Sequence, residues 1–74
     1  MQIHEKIKVV RKEKGISQTF IANKLNMSVS GYSMKESGRR PITINELEII
    51  ADALGVPATI FFEKEFHVKW REVS

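Results

Sequence analysis

Apolar residues recur at helical spacing along most of this chain. Ile3, Ile7 and Val10 predict a first helix over about 3–14, and Gly15 ends the pattern. Ser17 then offers its hydroxyl to a free amide in the first turn of a second helix. Within that helix Ile21 and Leu25 lie one turn apart on a buried face, and Ala22 is small enough to let another helix cross closely. Asn26 tolerates the left-handed backbone that a tight turn needs. Ser28 offers a second cap, for a third helix over about 29–37, and Gly38 supplies its stop.

The pattern continues beyond residue 40. Thr43-Ile44-Asn45-Glu46 reads as a capping box, and Leu47, Ile50, Ala51 and Leu54 form the apolar stripe of a fourth helix that stops at Gly55. That stripe is core. Pro57 suits the first turn of a fifth helix reaching about Glu63, with Ile60 and Phe61 as its core contributors. The tail, 64–74, is open to two readings. Phe66, Val68 and Trp70 alternate as in a strand, the reading we favour, whereas Phe62, Phe66, Trp70 and Val73 fit a helical stripe. The chain therefore divides into a helical domain over 1–63 and a C-terminal tail over 64–74. The expected fold class is all-α.

The third helix has two sides. At about 100° per residue, Val29, Tyr32 and Glu36 share one of them, and Tyr32 faces inward. Ser30, Ser33, Met34 and Ser37 share the other. A short helix, a turn and a second short helix is the layout that presents the second helix to the major groove of DNA. On that reading Ser28, Val29, Ser30, Ser33 and Met34 meet base edges. They include no Arg, Asn or Gln, the strongest base readers. Serine hydroxyls bond several base edges, and Val29 and Met34 suit a thymine methyl. Direct readout should then be modest, with groove shape and DNA deformability adding specificity. The plain alternative is a polar surface.

Charge sharpens the picture. The 74 residues carry a net charge of +3, but residues 1–40 hold nine Lys and Arg against three Glu, while 41–74 hold three against six acids. Between Glu13 and Glu36 there is no acidic side chain at all. A basic half carrying the helix–turn–helix suits a nucleic-acid reader. So small a domain buries only about 60% of its unfolded surface. Without cysteine it has no disulfide staple, so an oligomer is one remaining source of burial. Large apolar groups at Phe62, Phe66, Val68 and Trp70 need cover, from a partner subunit or from the domain's own core.

The series Arg11, Ser17-Gln18, Ala22, Leu25, Ser28, Tyr32, Glu36, Gly38, Arg40, Leu47, Ile50-Ala51 and Leu54-Gly55 resembles the Cro/repressor-type helix-turn-helix family, also called the XRE family. The resemblance covers roughly residues 3–62. It implies a five-helix, lambda-repressor-like domain that binds double-stranded DNA, usually as a symmetric homodimer. It further implies an ion pair between Arg11 and Glu36, in which a carboxylate takes two parallel hydrogen bonds from a guanidinium. Gln18 matches a glutamine that binds the DNA backbone, and Arg39 and Arg40 resemble a backbone-contacting loop that binds phosphate without reading sequence. Ser17, Lys35 and Ser37 complete the expected backbone set. Lys35 departs from the family, which usually has an apolar residue there. Its stem is expected along the core edge and its amine towards solvent or phosphate.

The expected function is a sequence-specific transcriptional regulator on a palindromic operator. The competing reading is an antitoxin- or adaptor-like module that binds a protein through the fifth helix and the tail. His4 and His67 read as surface histidines. No catalytic residue, metal site, cofactor or small-molecule ligand is expected, and the cytoplasm is the expected compartment. No apolar run is long enough to suggest a membrane span.

Overall fold

The computed structural model describes residues 1–64. Four α-helices, α1 (Ile3–Glu13), α2 (Gln18–Lys24), α3 (Val29–Glu36) and α4 (Ile44–Leu54), are followed by a 3-10 helix (Ala58–Phe62). Their boundaries follow local chemistry. Ser17 Oγ accepts from Phe20 N at 3.1 Å, and Ser28 Oγ accepts from Gly31 N at 3.0 Å. Thr43 and Glu46 close the capping box, with Glu46 N donating to Thr43 Oγ1 at 3.1 Å and Thr43 N to Glu46 Oε1 at 2.9 Å. Asn26 takes the left-handed turn between α2 and α3 with a φ of 56°.

The core gathers one stripe from each helix. Ile7 and Val10 of α1, Ile21 and Ala22 of α2, Tyr32 of α3, Leu47, Ile50, Ala51 and Leu54 of α4, and Phe61 are all buried. Leu25, Met27, Ile42 and Ile60 pack against its edge. α3 packs between α1 and α2, and the 3-10 helix rests on α1 and α4.

Two boundaries move by one residue. α1 ends at Glu13 with Lys14 as its cap, and α3 ends at Glu36 with Ser37 as its cap. The fifth helix differs in kind. Pro57 stands outside it as the extended N-cap, and the five residues that follow form 3-10 bonds such as Ile60 N to Pro57 O at 3.2 Å. Lys6 explains how so short a piece is held: its amine donates to the carbonyls of Phe61 and Glu63 at 3.3 and 2.7 Å. These bonds satisfy carbonyls that the helix end leaves open. Phe66, Val68, Trp70 and His67 lie outside the described residues.

Candidate nucleic-acid interface

Glu36 organises the face that α3 presents. Its carboxylate, buried at the end of α3, accepts four hydrogen bonds. Arg11 Nε and Nη2 donate to Oε2 and Oε1 at 2.7 and 2.9 Å. Tyr32 Oη donates to Oε2 at 2.7 Å, and Gln18 Nε2 to Oε1 at 3.0 Å. Arg11 is anchored in turn, because its Nη1 donates to the Ile16 carbonyl at 2.8 Å. One carboxylate thus ties α1, α2 and α3 together.

The electrostatics follow from that arrangement. Burial on its own pushes the Glu36 carboxyl up, but the bonds from Arg11, Tyr32 and Gln18 outweigh it and hold the group below its ordinary value. Arg11 is raised, chiefly by its hydrogen bond to Glu36. Burial, and then the bond to Glu36, push the Tyr32 hydroxyl up. Both partners of the ion pair keep their charge across the neutral range, so a charged clasp backs the helix.

On the outer side, Ser28, Val29 and Ser30 at the N-terminal tip of α3 are exposed, Val29 by 42%. Ser33 and Met34 are half-buried, and Met34 stays out of the core cluster. Ser28 Oγ lies 3.3 Å from Ser30 Oγ, so the capping hydroxyl and its neighbour share a hydrogen bond at the tip. Ser17, Ser37, Arg39 and Arg40 are exposed, with Ser37 Oγ donating to the Met34 carbonyl at 3.0 Å. A hollow of about 70 Å³, lined by Lys8, Gln18, Ser33, Glu36 and Ser37, joins this face to α1. The residues that line it are all polar.

Three side chains change their parts. The Gln18 amide is turned inward by its bond to Glu36, which occupies one of its two N–H donors and leaves the other for an outer acceptor. Lys35 points to α4: its amine donates to the Pro41 carbonyl at 2.9 Å and pairs with Glu46 Oε1 at 3.0 Å. In the chain without DNA, a neighbouring carboxylate therefore takes up the ammonium. His4 is half-buried against Gly38 rather than standing as a surface histidine.

Lys8 enters from outside the expected set. It is exposed on α1, one turn after His4, and lines the hollow beside Gln18. Helical spacing on α1 was the signal for it, since the apolar stripe of Ile3, Ile7 and Val10 leaves Lys8 on the other side.

Comparison with known proteins gives the arrangement a family. A family model described as helix-turn-helix matches residues 7–61. The immunity repressor protein of Bacillus phage phi105 is 32% identical over 69 residues, covering 93% of this chain and 48% of the phage protein. The chain thus spans about half the length of that curated relative. No solved structure matches it. With the match running from Ile7, within α1, to Phe61, and a capped helix, turn and helix inside it, the chain belongs to the Cro/repressor-type, or XRE, family of helix-turn-helix domains.

Proposed function

We propose that the chain is a sequence-specific DNA-binding transcriptional regulator that lays α3 in the major groove. The observation that carries this reading is the placement of α3. The Glu36 clasp fixes its inner side, while its tip at Ser28, Val29 and Ser30 stands exposed. Ser33 and Met34 continue the base-facing set. Around it, Ser17, Gln18, Ser37, Arg39 and Arg40, joined by Lys8, supply the donors and charge for phosphate. The phage relative's name, immunity repressor, fits a repressor role here.

Two copies would read a palindromic operator, with half-sites about one helical turn apart or a multiple of it. Residues 1–63 act as the reader and 64–74 as the dimerisation segment, with Phe62, Phe66, Val68 and Trp70 forming the contact between copies. Phe62 supports this assignment by its 56% exposure. A regulator of this kind works in the cytoplasm.

The same exposed Phe62, together with Ile44 at 64%, favours a second reading, a protein-binding module that keeps the fold. A gel shift on the promoter of the chain's own gene, at two salt concentrations, separates the two. The DNA reader gives a sequence-dependent shift that weakens steeply with salt. No shift at low salt would rule it out.

A further inference from the structure

Gly38 closes α3 with a φ of 86°, a left-handed conformation that side-chain-bearing residues adopt only under strain. Its missing side chain matters a second time. A methyl group on its Cα would lie 2.7 Å from both Cε1 and Nε2 of His4. The edge of the imidazole, carried by the first turn of α1, occupies the space that a side chain at position 38 would fill.

Other contacts hold the loop that follows. The amides of Arg39 and Arg40 both donate to the Met34 carbonyl, at 2.9 and 3.2 Å, and Lys35 Nζ holds the Pro41 carbonyl at 2.9 Å. These bonds come from α3, the element the loop leaves. His4 supplies the contact from α1, and it lines a hollow of about 280 Å³ together with Gly38, Arg40 and Pro41. Arg39 and Arg40 stand exposed just beyond.

We propose that His4 is a positioning residue for the arginine pair. Its ring wedges the Gly38 turn against α1, so that the backbone carrying Arg39 and Arg40 is ordered before any phosphate arrives. An ordered backbone loses less entropy on binding, which is how a residue that touches no DNA strengthens contacts to it. This inference rests on the DNA-binding reading above, and two readouts keep their failures apart.

The first readout needs no DNA. Amide hydrogen exchange is measured on the full chain and on H4A, H4Q and H4F. In H4A the Arg39 and Arg40 amides should exchange about tenfold faster while the amides of α4 keep their rates, as expected for a local opening. H4F, which restores a ring, should recover protection, and H4Q should not. Unchanged protection at Arg39 and Arg40 in both H4A and H4Q overturns the proposal. If H4A loosens every amide, the contrast between H4Q and H4F decides.

The second readout is affinity for duplexes of unrelated sequence at two salt concentrations. H4A, or H4Q if H4A does not fold, should bind all of them about three- to tenfold more weakly. Faster exchange with unchanged affinity would leave His4 a prop for the turn and overturn its positioning role. A parent chain that binds no duplex would defeat the DNA reading, while the exchange data still judge the His4 contact.

Discussion

Arg11 and Glu36 meet through two parallel hydrogen bonds of 2.7 and 2.9 Å, joining α1 to α3 across 25 residues of chain. Glu36 is buried at 3% exposure and Arg11 at 8%. Removing one partner strands the other charge in the interior, so Arg11→Ala or Glu36→Ala should cost about 3–5 kcal/mol in urea unfolding. Small domains hold only about 5–15 kcal/mol in all, so either change consumes much of it. Arg11→Lys should recover little, because an ammonium lacks the planar fork. Full stability in Arg11→Lys would show that charge alone, not the paired geometry, holds α1 to α3.

Acid should loosen the same clasp. Glu36 sits below its ordinary value of 4.5 in the folded chain and returns to it on unfolding. Its ionised form therefore contributes stability above pH 4.5, and this is lost as pH falls through the lower, folded value. Glu46, lowered chiefly by its bond from the Thr43 amide, titrates in the same direction. Thermal melts between neutral pH and pH 3 should show the midpoint dropping in the acid range. Glu36→Gln should start lower and fall less. An equally steep fall in that variant would place the acid sensitivity elsewhere.

Two glycines with similar backbone angles should respond unequally to alanine. Gly55 has a φ of 72° with open space around its Cα, so Gly55→Ala incurs backbone strain alone, about 1–2 kcal/mol. Gly38→Ala adds a clash with the His4 ring and should cost more. Equal losses in chemical denaturation would mean that the ring moves aside freely.

Surface changes on the proposed DNA face should separate affinity from sequence preference. Arg39→Ala with Arg40→Ala should weaken binding to all duplexes alike and reduce the salt slope by about 2, roughly one for each guanidinium taken off a phosphate. Ser30→Ala with Met34→Ala should reduce sequence preference without abolishing it, since groove shape carries part of the specificity. Competition gel shifts measure both. A complete loss of preference in the second pair would mean that these two side chains do the reading by themselves.

What the sequence made legible was local. Ser17, Ser28 and Thr43 each cap a helix within three residues of themselves, and Gly55 stops α4 one residue beyond its stripe, so spacing was enough to find them. The fifth segment was placed correctly but typed wrongly, because five residues after a proline do not distinguish bonds to the third residue from bonds to the fourth. The Arg11–Glu36 pair was legible only through resemblance, since nothing near Arg11 in the chain points to α3. The partner of Lys35 was not legible, because Glu46 lies on another helix and its pull on the amine has no trace in the local pattern. The His4 contact with Gly38 left no mark at all, for it depends on how α1 crosses the end of α3.

Only Tyr32 and Glu36 of α3 are buried. The inward packing of that helix thereby rests on two side chains, and an exposed position such as Ser30 takes no part in it. Mutation can alter those outer residues without endangering the architecture. A lineage carrying this scaffold could switch targets by small steps, each intermediate remaining a folded protein.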